Sequence, residues 1–438
     1  MAEGRQPHRL NAVDVWLGEV PVGRIMRAAG GGILFTIGEA YAELQRRPIL
    51  SQCYELPGGK VSTAVRVYPG HLPPFFENLL PEGPLKQLLA RRANVDPNDQ
   101  LSLLGALGED LPGAVKVVRA SQPWPSTVRM DDAMFSGTAL RFSLAGVQLK
   151  LSTFAGANGT LTVPAMGAGG SWIVKLPAKG GWARLPENEY AMMTLAKKVG
   201  IPVPHVEVVP MKSIAGLPHE VRDVEGDAFA VKRFDRKDGG RVHMEDFAQV
   251  FGVRPEAKYA GHSYANIADV LATVSGQQSV ADFVDRVMFS ALIGNGDMHL
   301  KNWTLLYAGT NPPALSPAYD FVSTIPYLRD DDLALGFGGS KDFFAFDRRR
   351  IEKFSSAARI PIAMTLSRCR TIAEKTMQAW KDHEERGLLP ARDDALIDAM
   401  IQAVARNVLG GHKPLKRHAI GRIKAPDLEF DDQTEPSP

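Results

Sequence analysis

Residues 294–302 read Gly-Asn-Gly-Asp-Met-His-Leu-Lys-Asn, and residues 319–321 read Tyr-Asp-Phe. The first stretch places a carboxylate, Asp297, five residues before a carboxamide, Asn302, and the second adds the carboxylate of Asp320. A phosphotransferase that uses Mg²⁺ and ATP needs such a set. One carboxylate orients and deprotonates the attacking hydroxyl, while the amide and the other carboxylate hold the metal. We therefore predict a kinase with Asp297 as catalytic base and with Asn302 and Asp320 as metal ligands.

The spacing of Asp297 and Asn302 is that of the catalytic loop of protein kinases. Asp and Asn are also common in turns, so the pair alone leaves an ordinary polar turn open. Asp320 stands where a kinase places its metal-holding aspartate, and it favours the kinase interpretation. Within the loop, Lys301 is a candidate catalytic residue that either neutralises the transferring phosphoryl group or holds the loop. His299 is expected to be structural.

The chain changes from strand-like to helical patterns near residue 244. Residues 171–176 and 228–234 have the composition of strands, and residues 188–199 have helical periodicity. Further helical patterns follow residue 244, at 280–293, 348–358, 363–383 and 393–408. We predict an α+β, two-lobed protein-kinase-like fold with ATP in the cleft between the lobes. An extra small N-terminal mixed α/β domain precedes the first lobe, and the C-terminal lobe is helical.

Changes in composition along the chain predict four parts. They are an N-terminal domain at 11–120, a nucleotide-binding N-lobe at 133–243, a helical catalytic C-lobe at 244–425 and an acidic flexible tail at 426–438. A Pro- and Ser-containing stretch at 121–132 reads as a linker, and the glycine-rich stretch at 155–170 reads as a loop inside the N-lobe.

Lys175 ends an apolar strand, where burying a lysine is costly unless it meets an anion. ATP phosphates would be that anion, although a lysine at the exposed end of a strand explains the position equally well. Glu189 on the next helix is a candidate partner, and a first-turn helix acid is the alternative interpretation. Lys175 is thus a candidate nucleotide-binding residue.

Residues 143–150 read Ser-Leu-Ala-Gly-Val-Gln-Leu-Lys, a short stretch with small residues at Ala145 and Gly146. Backbone amides at small residues can approach phosphates closely. The stretch matches neither a Walker loop nor the usual glycine loop of protein kinases, and a plain strand turn would explain it too.

Composition bounds the class of protein. The chain has 438 residues, 45% hydrophobic and 23% charged, with a formal net charge of +2, so bulk charge predicts no nucleic-acid partner. Its two cysteines, Cys53 and Cys369, lack a metal-ligand motif and are expected to be reduced thiols. No apolar run is long enough for a membrane span, and no signal core is evident, so we expect a cytoplasmic protein without a membrane partner.

The segment 406–424 carries lysines and arginines without an acidic residue, and the acidic tail follows it. A solvated helix end is one interpretation of this segment. The other is a phosphate-contacting patch that is used when a complex of this protein sits on DNA.

Several motifs in one order resemble the HipA family of toxin kinases, and the resemblance spans about residues 11 to 410. In the N-terminal part the motifs are Phe-Glu-Asn-Leu-Leu-Pro at 76–81 and Gly-Ala-Val at 113–115. The others are the 143–150 stretch, Ile-Val-Lys-Leu-Pro at 173–177, Asn-Glu-Tyr at 188–190, Ala-Val-Lys-Arg-Phe-Asp-Arg at 230–236, Glu-Asp at 245–246, Gly-Asp-Met-His-Leu-Lys-Asn at 296–302 and Tyr-Asp at 319–320.

The resemblance implies a serine/threonine kinase toxin that phosphorylates an aminoacyl-tRNA synthetase, notably the glutamyl enzyme, and so halts translation and growth. It implies a small DNA-binding antitoxin, HipB-like, and repression of the operon by the complex, with operator DNA contacted through the antitoxin. The implied cofactors are ATP and Mg²⁺. The implied roles are Asp297 as base; Asn302 and Asp320 on Mg²⁺; Lys150, Ala145, Gly146 and Lys175 on phosphates; Lys232, Arg233 and Phe234 as the hinge that meets adenine; and Ser143 as autophosphorylation site.

The chain departs from the family pattern at Leu149 and Lys232, which stand where an acidic residue is expected. Two alternatives remain open. One is a small-molecule phosphotransferase of the aminoglycoside-kinase kind, which shares the Asp and Asn spacing. The other is a catalytically silent regulatory subunit that binds an antitoxin and DNA.

Overall fold

The computed structural model describes residues 9–120, 149–156, 160–163, 170–178, 182–237, 239–309 and 312–410. Some sequence predictions lie outside these residues and stay predictions. They concern the linker at 121–132, Ser143, Ala145, Gly146, the part of the basic segment after residue 410, and the acidic tail.

The N-terminal domain is built on a five-stranded antiparallel sheet in the order β6-β3-β2-β1-β7. Gly18 has φ +59° in the turn between β1 and β2, a left-handed conformation that favours glycine. Two helices lie between residues 74 and 92: one ends at Glu77 before Pro81, and the other begins at Gly83 with Pro84 in its first turn. The elements are β1 Ala12–Leu17, β2 Val20–Arg27, β3 Gly32–Ile37, α1 Glu39–Ala42, β4 Glu55–Leu56, β5 Lys60–Val61, β6 Arg66–Pro69, α2 Pro74–Glu77, α3 Gly83–Arg92, α4 Gln100–Leu107 and β7 Val115–Arg119.

The N-lobe contains a second five-stranded sheet, in the order β11-β12-β10-β8-β9, with one long helix packed on it. The stretch at 155–170 that was predicted as a loop also contributes the short strand β9, which pairs with β8. The elements are β8 Lys150–Ala155, β9 Leu161–Thr162, β10 Trp172–Lys175, α5 Leu185–Lys198, β11 Val206–Pro210 and β12 Asp227–Lys232, followed by the hairpin of β13 Arg236–Lys237 and β14 Gly240–Arg241.

The C-lobe is helical and also contains a three-stranded sheet in the order β15-β16-β17. Its elements are β15 His243–Asp246, α6 Phe247–Val250, α7 Tyr264–Val274, α8 Gln277–Leu292, β16 Thr304–Tyr307, β17 Ala314–Leu315, α9 Arg348–Ala357, α10 Ile362–Lys381 and α11 Ala391–Leu409. The predicted α+β fold, with strands first and a helical lobe after them, is confirmed. No helix in the described ranges is long and apolar enough to cross a membrane.

The N-lobe sheet separates two hydrophobic cores because successive side chains of a strand point to opposite faces. On β10, Ile173 belongs to the core of the C-lobe and α5, whereas Val174 belongs to a core shared with the N-terminal domain. On β12, Phe229 faces the first core and Ala230 the second. The N-terminal domain and the N-lobe therefore fold around one continuous apolar cluster.

A buried carboxylate, Glu245 on β15, also joins the N-terminal domain to the C-lobe. Its oxygens accept hydrogen bonds from the Ser51 hydroxyl at 2.5 Å, the Gln52 backbone N–H at 3.0 Å and the Tyr307 hydroxyl at 2.5 Å. All three donors are neutral, and the Glu245 side chain is fully buried. Burial raises the pKa of Glu245 to about 7, although the three hydrogen bonds oppose the shift.

We expect Glu245→Gln to remove a pH dependence of stability. Folded Glu245 holds its proton up to about pH 7, whereas an exposed glutamate ionises near 4.5, so the wild type loses stability as pH rises through this window. The shift corresponds to at most about 3 kcal/mol. Urea unfolding of both proteins at pH 4.5, 6 and 8 should show that the free energy of unfolding of the variant increases relative to that of the wild type as pH rises. Parallel curves would contradict the role assigned to Glu245.

Candidate active site

The loop that carries Asp297 connects α8 to β16 and is held in shape by its own side chains. The Asn295 amide oxygen accepts from the Asp297 backbone N–H at 3.0 Å, and the Asn302 side-chain amide donates to the Asp297 carbonyl at 2.7 Å. Gly296 runs so close to Asp331 that a Cβ there would lie 2.0 Å from its carboxylate. A side chain at position 296 would therefore require the Asp331 carboxylate to move.

The Asp297 carboxylate is half exposed, with 51% of its side chain accessible. The Tyr259 hydroxyl donates to Asp297 Oδ1 at 2.5 Å. Desolvation by the surrounding protein raises the pKa of Asp297, and the bond from Tyr259 opposes this shift. His299 Nε2 lies 3.9 Å from the same oxygen, but burial lowers the pKa of His299 to about 3, so its ring is neutral. Asp297 is an accessible carboxylate, as a base requires.

Lys175, the lysine at the end of β10, meets two acids. Its ammonium lies 2.5 Å from Glu189 on α5 and contacts Asp320 directly, and only 6% of the side chain is exposed. Lys150 Nζ on β8 lies 3.7 Å from the other Asp320 oxygen. Two cations and two anions thus meet in one desolvated cluster, and their formal charges sum to zero.

The charges of this cluster stabilise one another. Burial alone would raise the pKa of Asp320, but Lys150 and Lys175 hold it well below its ordinary value. Burial alone would lower the pKa of Lys175, but Asp320 and Glu189 outweigh this and raise it. Asp320 has φ +57°, a conformation uncommon for a non-glycine residue, and its carbonyl accepts from the Asn295 amide at 3.4 Å. The Asp320 backbone therefore adjoins the Asp297 loop.

Asn188, next to Glu189 on α5, anchors the chain just beyond Asp320. Its amide oxygen accepts from the Ser323 backbone N–H at 3.0 Å, and its amide nitrogen donates to the Ser323 carbonyl at 3.0 Å. One turn of α5 thus contacts the Asp320 segment in two ways. Asn188 bonds it directly, and Glu189 binds Lys175, which in turn contacts Asp320. Sequence reasoning assigned Asn188 no role beyond the family motif, because a lone asparagine on a helix carries no signal of a partner 135 residues away.

Lys301 points toward the N-terminal domain. Its ammonium lies 2.8 Å from Glu82 and 3.3 Å from the Asn78 carbonyl, and 6% of its side chain is exposed. Glu82 also pairs with Lys258 at 3.1 Å. Of the two roles that the sequence left open for Lys301, the geometry favours holding the loop. Sequence reasoning missed Glu82, which lies in a different domain.

The predicted hinge borders a cleft of about 730 Å³ that is lined by Phe154, Ser171, His205, Lys232 and Phe234, among others. The Phe234 ring lies 5.7 Å from that of Tyr319, the neighbour of Asp320. One residue of the cleft therefore contacts the residue that directly precedes Asp320.

Arg233 differs from the other hinge residues. Its side chain is 1% exposed and forms ion pairs with Asp110 of the N-terminal domain at 3.3 Å and with Asp235 at 2.7 Å. Its backbone N–H donates to the Ser171 carbonyl at 2.8 Å. The guanidinium is therefore buried between two acids and is not free to contact a ligand in the cleft.

The structure thus brings Lys150, Lys175, Asp297, Asn302 and Asp320 together. It places the Lys301 ammonium and the Arg233 guanidinium at the domain interface instead, and the predicted Ser143, Ala145 and Gly146 lie outside the described residues. Within the described ranges, no group of three or more His, Cys, Asp or Glu side chains is arranged to hold a metal ion.

Two family models and several known proteins are similar to this chain. The HipA-like C-terminal domain matches residues 142–383, and the HipA N-terminal domain matches residues 13–118. Putative kinase Y4dM of Sinorhizobium fredii is 43% identical over 395 residues, which cover 89% of this chain and 96% of that protein. The serine/threonine-protein kinase toxin HipA of Shewanella oneidensis is 26% identical over 351 residues, which cover 70% of this chain and 75% of that protein.

A solved structure has the same fold. It is a complex of HipA, HipB and operator DNA from Shewanella oneidensis MR-1, and the similarity has a TM-score of 0.68 at 22% identity. The match covers 94% of this chain and 100% of that chain. At this identity the likeness shows the fold, including the N-terminal domain ahead of the two lobes.

Proposed function

The chain belongs to the HipA family, as its motifs predicted, and on that premise we propose that it is a serine/threonine kinase that uses ATP and Mg²⁺. The observation that carries the proposal is the contact of Lys175 with both Glu189 and Asp320. In active protein kinases, a strand lysine pairs with a helix glutamate beside the metal-binding aspartate. Here the same set adjoins the loop that carries Asp297.

The residues present fit a nucleotide and a magnesium ion. Asp320 and Asn302 offer a carboxylate and an amide oxygen, the hard ligands that Mg²⁺ prefers, with water and phosphate oxygens completing its shell. Lys150 and Lys175 are nearly buried ammonium groups, which suit the phosphate oxygens of ATP. When bound, the metal neutralises charge that develops on the transferred phosphoryl group.

The other residues take the following roles. Asp297 accepts the proton of the substrate hydroxyl while that oxygen bonds to the γ-phosphorus and ADP leaves. Asn302 already donates its amide N–H to the Asp297 carbonyl, so its oxygen stays available for the metal. Lys232, Phe234 and the Arg233 backbone border the place for adenine. Lys301 keeps the catalytic loop against the N-terminal domain.

In the cell, we propose that the protein is the toxin of a type II toxin–antitoxin system. Its target is an aminoacyl-tRNA synthetase, such as glutamyl-tRNA synthetase, and phosphorylation of that target stops translation and growth. A HipB-like antitoxin restrains it, and the complex represses its operon by binding operator DNA through the antitoxin. The family membership and the toxin relative from Shewanella oneidensis support this role. Ser143 is the proposed site of autophosphorylation.

Incubation with labelled ATP and Mg²⁺, alone and with cell extract, tests the proposal beside Asp297→Ala. We expect label on Ser143 and on a synthetase-sized protein with the wild type, and none with the variant. Induced wild type should also arrest growth, and the variant should not. Transfer to aminoglycosides instead of proteins would indicate a small-molecule phosphotransferase. ATP binding without any transfer would indicate a silent regulatory subunit.

A further inference from the structure

Tyr259 contacts the proposed base from a segment outside the catalytic loop. It lies between the short 3₁₀ turn at Pro255–Ala257 and α7, and its hydroxyl donates to Asp297 Oδ1 at 2.5 Å. No sequence motif pointed to it, since it precedes Asp297 by 38 residues.

The Tyr259 segment is fastened to the loop at further points. The Tyr259 ring packs edge-on against His299, with ring centroids 5.0 Å apart and planes at 80°. The carbonyl of its neighbour Lys258 accepts from the Leu300 backbone N–H at 3.2 Å. These contacts fix the hydroxyl relative to the loop, even though 43% of the tyrosine is exposed.

The N-terminal domain also contacts the segment that carries Tyr259. Glu82 binds Lys258 at 3.1 Å and Lys301 at 2.8 Å, so one carboxylate holds the segment that carries Tyr259 and the loop that carries Asp297. The relative position of these two pieces of chain is therefore set by a side chain from another domain.

We propose that Tyr259 is a positioning residue for Asp297, holding Oδ1 so that Oδ2 faces the hydroxyl of the protein substrate. The inference rests on the proposed function, in which Asp297 is the base. Among the described residues, Tyr259 is the hydrogen-bond donor to the Asp297 carboxylate, and Oδ2 has no donor within bonding distance. A carboxylate held on one oxygen presents the other in one orientation, which a rotating carboxylate does not. Misplacement of a reacting group by about 1 Å can cost about 100-fold in rate.

Tyr259→Phe tests the proposal, because it removes one oxygen and keeps the ring against His299. We expect kcat for protein phosphorylation to fall about 10-fold, with KM for ATP and for the protein substrate unchanged. Tyr68→Phe, which removes the same atom on β6 of the N-terminal domain, is the matched control and should leave kcat unchanged. An unchanged kcat in Tyr259→Phe would overturn the proposal. So would a lower KM for the protein substrate, since Tyr259 would then compete with the substrate hydroxyl.

A second measurement does not depend on activity. In a double-mutant cycle, the effect of Tyr259→Phe on the unfolding equilibrium constant should be about 5-fold smaller in the Asp297→Ala background than in the wild type. The reason is that each substitution removes the same hydrogen bond. Additive effects would overturn the proposal. If the wild type transfers no phosphate at all, the proposed function fails, and the cycle still decides whether Tyr259 holds the Asp297 carboxylate.

Discussion

Replacing Asp297 by Asn is expected to lower the rate of phosphate transfer about 1,000-fold while leaving the affinity for ATP and Mg²⁺ nearly unchanged. The amide keeps the size of the carboxylate and can still accept the hydrogen bond from Tyr259. It cannot take a proton from the substrate hydroxyl, so the loss falls on the chemical step. Single-turnover transfer and equilibrium ATP binding, measured on the same preparation, separate the two quantities.

Asp269→Asn is the matched control for this experiment. Asp269 lies on α7 and pairs with the exposed Arg359, and such surface pairs contribute little to stability. The control should keep wild-type transfer. If Asp297→Asn retained more than about a tenth of the wild-type rate, Asp297 would orient the hydroxyl without acting as base.

Asp320→Asn is expected to abolish transfer to a similar extent and, unlike Asp297→Asn, to destabilise the fold. The substitution removes a negatively charged metal ligand. It also leaves Lys150 and Lys175 with Glu189 alone, which is one uncompensated positive charge in a desolvated cluster. We expect the free energy of unfolding to fall by about 2 kcal/mol. This is below the usual range for fully buried pairs, because 24% of the Asp320 side chain is exposed.

A double substitution separates the two effects. Lys175→Met with Asp320→Asn removes one charge of each sign and leaves Lys150 and Glu189, so the cluster is neutral again. We expect the double variant to be more stable than the sum of the two single variants implies, and to remain inactive. Urea unfolding of the wild type, the two single variants and the double variant gives the coupling free energy between Lys175 and Asp320. Strict additivity would show that Lys175 and Asp320 do not stabilise each other in the folded state.

The parts of the site that the sequence predicted are those encoded within short stretches of chain. Asp297 and Asn302 share one loop, so their spacing predicted both the loop and the chemistry of its side chains. The strand that ends in Lys175 and the helix that carries Glu189 followed from hydrophobic periodicity, and their pairing followed as a candidate.

The parts that the sequence did not predict depend on residues far apart in the chain. The ion pair of Glu82 with Lys301 joins residues 219 positions apart, and the hydrogen bond of Tyr259 to Asp297 joins residues 38 positions apart. All four are common residue types, and no local pattern in the sequence marks either pair. The resemblance to the HipA family assigned Arg233 to the hinge. Its side chain turns instead to Asp110, 123 residues earlier, because a buried guanidinium needs an acid.

The apolar cluster shared by the N-terminal domain and the N-lobe limits how the two parts can be separated or exchanged during evolution. A gene that encoded only the two lobes would leave the Val174 and Ala230 face of the sheet in water, together with Leu151. Exchanging the N-terminal domain between distant relatives would pair two apolar surfaces that evolved in different proteins. Recombination between the N-terminal domain and the N-lobe should therefore yield foldable chimeras only between parents whose two halves have matching apolar surfaces.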